Sequence, residues 1–179
     1  MEPSGIIEKL SIALKTEVEG HAFYKYAAEA TTDELGKNVF NHLASEELEH
    51  MDVIAAIAES LKEGKGWMSY EEAVKAGLSM REQKGLPLFP EKNELLERLK
   101  AGKTDSDAVK IAIESEEKAV QFYSDMLKEA KTPEEKVFLT RLLEMEKAHL
   151  KILRWEYESL IQNGFWCDFM EYSVEKETE

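Results

Sequence analysis

Six residues of this 179-residue chain have the types and spacing to hold metal ions: Glu17, Glu47, His50, Glu116, Glu146 and His149. Glu47 and His50 stand three residues apart, as do Glu146 and His149, which on a helix puts carboxylate and imidazole on one face. Each pair follows a lone glutamate, Glu17 or Glu116, by 30 residues, and each residue of the first set precedes its counterpart by 99. The same offset aligns Ala13 with Ala112, Phe23-Tyr24 with Phe122-Tyr123, Lys37 with Lys136 and Leu43 with Leu142. A single Glu-x-x-His in a glutamate-rich chain is most often a solvated face. Two copies at one ungapped offset, each with its upstream glutamate, are an internal repeat.

The chemistry follows from charge. Four carboxylates gathered in a core cost several kcal/mol each, or take up protons, unless something positive joins them. Two divalent ions supply +4 against –4, with both imidazoles neutral. One glutamate from each of two helices, plus a Glu-x-x-His from each of two others, is the ligand set known for di-iron and di-manganese helical bundles. Oxygen and nitrogen ligands suit iron or manganese, and zinc also occupies such sites. Tyr24 and Tyr123 follow the lone glutamates by seven residues, on the same stripe. They are placed to hydrogen-bond a ligand carboxylate, the alternative being core tyrosines. His21, whose repeat counterpart is Val120, is either an extra ligand or proton relay, or a histidine satisfied elsewhere. His42 lies off the stripe and reads as a surface residue.

The elements that must position these residues are long helices. Apolar residues recur at helical spacing along about 5–31, 33–63, 104–131 and 133–163. Ser4, Asp33, Thr104 or Asp105, and Thr132 ahead of Pro133 are the start signals; Gly64-Lys65-Gly66 and Asn163-Gly164 are stops. The hairpins turn near residues 32 and 131, and each of the four glutamates lies 15 residues from its turn. At 1.5 Å per residue that is roughly 20 Å, so all four come to one level. Residues 65–103 read as a crossover with short helices over 69–76 and 93–99 and an irregular stretch at Gly85–Pro90. The architecture is therefore all-α: a four-helix bundle over residues 1–164 with a tail at 165–179. Phe165, Trp166 and Phe169 in the tail are aromatic enough for a dimer contact or for packing across a bundle end.

Composition agrees. Charged residues make up 34 %, with 9 glycines and 4 prolines, a mix that suits helices with charged surfaces. The net charge of –14 argues against nucleic acid, whose binding draws on Lys and Arg contacts. No run of about 18 apolar residues is present, so no membrane span is expected. The N-terminal stretch lacks a signal-peptide core, and the cytoplasm is the expected location. Cys167 is the single cysteine, which excludes an intrachain disulfide or four-cysteine metal site.

Around Ala13-Leu14-Lys15-Thr16-Glu17, Glu46-Glu47-Leu48-Glu49-His50 and Glu146-Lys147-Ala148-His149, the chain resembles the rubrerythrin-like branch of the ferritin-like di-iron carboxylate superfamily. The likeness spans roughly residues 5–62 and 104–160. It implies a ferritin-like bundle, two iron ions, and reaction with hydrogen peroxide or dioxygen. By position, Glu47 and Glu146 resemble the bridging carboxylates, Glu17 and Glu116 the terminal ones, and His50 and His149 serve one metal each. With one cysteine the sequence holds no rubredoxin site, so the implied electron donor is a separate protein such as a rubredoxin. A homodimer is expected. Ala119 stands where rubrerythrins carry an additional glutamate, which keeps open an iron-oxidising or iron-handling role without peroxidase turnover. A metal-free structural bundle is a third reading. An oxygenase would need an apolar pocket at the metals, to which Trp67 and Phe89 of the crossover would contribute.

Overall fold

The computed structural model describes residues 3–87, 92–102 and 104–167. All regular structure among them is helical: α1 (Pro3–Ala30), α2 (Glu34–Lys62), α3 (Tyr70–Lys84), α4 (Glu94–Ala101), α5 (Asp105–Glu129) and α6 (Pro133–Asn163). None of these helices is long and apolar enough to cross a membrane. Helices α1 with α2, and α5 with α6, form the two hairpins of a ferritin-like bundle, while α3 packs on α2 and α4 lies across α1 and α5.

The helix ends follow from local chemistry. The Asp33 carboxylate accepts from the Leu35 and Gly36 amides and starts α2. Thr104 and Asp107 form a reciprocal capping box at α5. Thr132 caps α6 ahead of Pro133, whose missing N–H is no loss at that position. Gly164 ends α6 in the left-handed conformation, with φ 78°. The start of α1 departs from expectation: Ser4 lies inside the helix, which begins at Pro3.

Two apolar clusters fill the bundle, one on each side of its middle. One gathers Leu10, Ile54, Ile57, Tyr123, Leu139 and Leu142. The other gathers Tyr24, Val39, Phe40, Leu43, Val109 and Leu153. The first half of α1 thus shares a cluster with the second half of α5, so the hairpins lie head to tail. The polar ligand residues fall between the clusters.

The crossover is more helical than its composition indicates. Helix α3 continues to Lys84, eight residues past Ala76, because tertiary contacts hold it. Arg81 forms a two-pronged ion pair with Asp52 of α2, at 2.8 and 3.0 Å. Gly77 lets the backbones meet, since a Cβ there would lie 2.0 Å from the Asp52 carbonyl oxygen. Trp67 packs on Phe138 within the apolar core rather than at the ligands. Phe89 lies outside the described residues.

Among the described residues of the tail, Trp166 closes a bundle end. Trp166 is buried against Phe40, and its indole N–H donates to Asp105 at 2.9 Å. Gly36 makes room for that ring, because a Cβ there would lie 2.4 Å from it. The Cys167 amide donates to the buried Glu156 carboxylate. Phe165 is 58 % exposed, and Phe169 lies outside the described residues.

Gly77→Ala forces α3 away from α2, and overpacking of this kind costs about 1–3 kcal/mol. Urea denaturation should show that loss.

Candidate di-metal centre

The site is built at mid-height, where α1, α2, α5 and α6 each turn an acidic residue inward. Glu17, Glu47, Glu116 and Glu146 are all buried, as are His50 and His149. Charged groups are almost never fully buried without a partner, so six together between apolar clusters call for an explanation.

Their geometry is reciprocal. His50 Nδ1 lies 3.5 Å from Glu17, 3.5 Å from Glu47 Oε2 and 3.1 Å from Glu146 Oε1. His149 Nδ1 lies 3.4 Å from Glu47 Oε1, 3.8 Å from Glu116 and 3.8 Å from Glu146 Oε2. Glu47 and Glu146 therefore each turn one oxygen toward either histidine. Glu17 stands with His50 and Glu116 with His149. The two imidazoles stack with ring centres 5.2 Å apart. Donor atoms from Glu47, His50, Glu146 and His149 all fall within 4.8 Å of one another.

Glu17 and His50 thus stand on one side, Glu116 and His149 on the other, and Glu47 and Glu146 between them. The donor set fits two metal ions on a further ground. Glu47 Oε2, Glu146 Oε1 and His149 Nδ1 are buried with no hydrogen-bond partner among the described residues, and all belong to this cluster. Buried polar atoms are otherwise nearly always satisfied.

The tyrosines cross between hairpins. The Tyr24 hydroxyl donates to Glu116 and that of Tyr123 to Glu17, both in short hydrogen bonds. Each lone glutamate is thus held by the aromatic residue of the opposite hairpin, which fixes one carboxylate oxygen and leaves the other toward the histidine. Burial, together with the neighbouring glutamate charges, raises both phenols well above their ordinary range, so they remain donors.

His21 is not part of the cluster. Its Nδ1 lies 2.7 Å from the Ala44 carbonyl oxygen, a bond that ties α1 to α2. Four residues from Glu17 is about 40° round the helix, enough to turn the ring from the site toward that neighbour. His42 is not a surface residue: its side chain is only 15 % exposed, and Nε2 lies 3.3 Å from Glu46. Glu46 was not singled out from the sequence. It is buried, and its Oε2 lies 2.9 Å from His149 Nε2. The one sequence signal was a break in the repeat, since Met145 occupies the equivalent position.

Without cations the cluster must share protons. Burial raises all four carboxyls. At Glu17, the adjoining Glu47 carboxyl and His50 imidazole outweigh burial and hold it at about 2. Burial is likewise outweighed at Glu116 by the facing His149 imidazole. Burial and the Glu17 charge push Glu47 to about 8, and burial with three neighbouring glutamates pushes Glu146 well up. Burial lowers the His149 pKa, but the carboxylates of Glu116, Glu46 and Glu47 around the ring more than reverse this. In the metal-free cluster Glu47 and Glu146 hold protons more tightly than free carboxyls, and bound cations would replace protons there.

A small cavity of about 10 Å³, lined by these four glutamates, Tyr24 and Ala119, is room for about one water. Outside it, between α1, α4 and α5, a groove of about 630 Å³ shares Thr16, Glu17, Leu95, Ser115 and Ala119 with the cavity. Helix α4 roofs this approach, anchored by Asn93 to the Glu19 carbonyl and by Arg98 to Glu114.

The chain matches the Rubrerythrin family over residues 8–157. No curated protein and no solved structure matches it significantly.

The Glu47 shift sets a pH dependence. Its folded value is above the ordinary one, so its contribution to metal-free stability is fully present below about 4.5 and lost as pH rises through about 8. Glu17, shifted downward, contributes fully throughout pH 5–8. Thermal unfolding of metal-free protein should therefore show a falling midpoint from pH 5 to 8. Divalent-metal affinity should rise over the same window, by up to about tenfold per pH unit for each proton displaced.

Proposed function

Because this chain belongs to the rubrerythrin family, we propose that it is a di-iron protein that reduces hydrogen peroxide or dioxygen. The observation that carries this reading is the double placement of Glu47 and Glu146, each with one oxygen toward each histidine. Held by Glu47 and Glu146 together with His50 and His149, two cations would be close enough to act on one small molecule together. Bound iron supplies one electron per ion, the two needed to convert hydrogen peroxide and two protons into two waters.

The chain's own residues supply the rest. Glu17, Glu47, Glu116 and Glu146 set the charge that favours a cationic pair. Tyr24 and Tyr123 hold the terminal carboxylates in place and keep their protons at the edge of the site. The apolar clusters above and below exclude bulk water. The cavity at the glutamates has room for about one water, which favours a small oxidant. The electron donor in this reading is a separate redox protein, for which the α1–α4–α5 side is the natural approach.

Ala119 favours a second reading, oxidation and handling of iron without repeated peroxide turnover. It lines the cavity where rubrerythrins carry a further glutamate, so the site has one carboxylate fewer to follow a change in metal charge.

Stopped-flow mixing of anaerobic Fe(II)-loaded protein with hydrogen peroxide separates the readings. Peroxide reduction predicts fast oxidation of both irons and repeated cycles with a chemical reductant. One fast cycle followed by release or exchange of iron supports iron handling. Oxidation no faster than that of free Fe(II) contradicts both. Glu47→Ala or Glu146→Ala removes a shared carboxylate, so either should lower bound iron below two per chain and abolish the fast phase.

A further inference from the structure

One buried acid near the centre belongs to neither the ligand set nor the cores. Glu46 Oε2 lies between His149 Nε2, at 2.9 Å, and His42 Nε2, at 3.3 Å. His149 turns its other nitrogen, Nδ1, toward Glu47, Glu116 and Glu146. An ionised carboxylate can only accept, so a neutral His149 beside it carries its proton on Nε2 and presents the Nδ1 lone pair to the site.

We infer that Glu46 is a positioning residue for the metal position of His149 and Glu116: it fixes the His149 ring and tautomer, and His42 steadies it from the outer side of α2. Outer-shell partners of this kind orient metal-bound histidines and increase their basicity. The device is one-sided in the sequence. The second hairpin carries Met145 at the position equivalent to Glu46 and Arg141 at that of His42. The repeat thus carries Glu46 and His42 in the first hairpin only, and Glu46 acts on the cation position of His149.

This inference rests on the di-metal reading, and the test separates their failures. Co(II) is titrated calorimetrically into the metal-free full chain, wild type and variants, under one buffer condition. Wild type should take up two ions. Glu46→Ala should weaken one of them by roughly 10–100-fold, the usual effect of losing such a partner, and leave the other within a few-fold. Glu46→Gln keeps an oxygen that accepts from Nε2–H and should recover most of the loss. Glu46→Met places the repeat's own residue there, fills similar volume and should behave like Glu46→Ala; it serves if the alanine variant does not fold. In ¹⁵N-histidine-labelled, Zn(II)-loaded protein, the His149 Nε2–H signal should exchange slowly in wild type and Glu46→Gln, and be lost in Glu46→Met. Wild type binding two ions, with all three variants unchanged, would overturn the positioning role and leave the di-metal reading standing. Wild type binding no metal would overturn both.

Discussion

Four carboxylates at one level of an apolar bundle are the constraint on which this structure depends. Glu17, Glu47, Glu116 and Glu146 lie between two hydrophobic clusters, where an isolated charge is costly. The metal-free chain meets that constraint by keeping protons on some of them and by placing two tyrosine hydroxyls and two imidazoles against the others. Cations meet it more completely. The reciprocal bonds of Tyr24 to Glu116 and Tyr123 to Glu17 show that the hairpins are locked together through the site itself. Metal binding and bundle stability are therefore linked by the same contacts.

The repeat explains how one centre arises from two similar halves. Head-to-tail hairpins bring equivalent residues face to face, so each half supplies two glutamates and one histidine to the cluster. Departures from the repeat are then informative. Glu46 with His42 adds a carboxylate and an imidazole behind His149, where the second hairpin carries Met145 and Arg141. Helix α4 adds a further asymmetry, because it covers the α1–α5 side and places Leu95 between the inner cavity and the outer groove.

Much of this was legible in the sequence because helices write their faces in it. The 99-residue offset marked the six residues that the structure gathers, and equal distance from two turns set their common height. The caps Asp33, Thr104 and Thr132 were readable because capping is a local interaction. What was not legible is tertiary. Glu46 meets a histidine 103 residues away, and no spacing rule on α2 distinguishes it from an exposed glutamate. His21 sits near the site's stripe, but a backbone carbonyl takes its ring. The length of α3 depends on Gly77 fitting against Asp52, and the burial of Trp166 depends on Gly36. Such fits between surfaces leave no periodic trace.

The central claim is that this cluster is a two-cation site whose occupation stabilises the bundle. Its most direct test is the thermal unfolding midpoint of chelator-stripped protein at pH 8, followed as Mn(II) is added and combined with metal analysis of the loaded chain. The account predicts a midpoint that rises and a bound-metal count that saturates at two ions per chain, with both changes lost together in Glu47→Ala. A midpoint indifferent to metal, with less than one ion bound per chain, would contradict it.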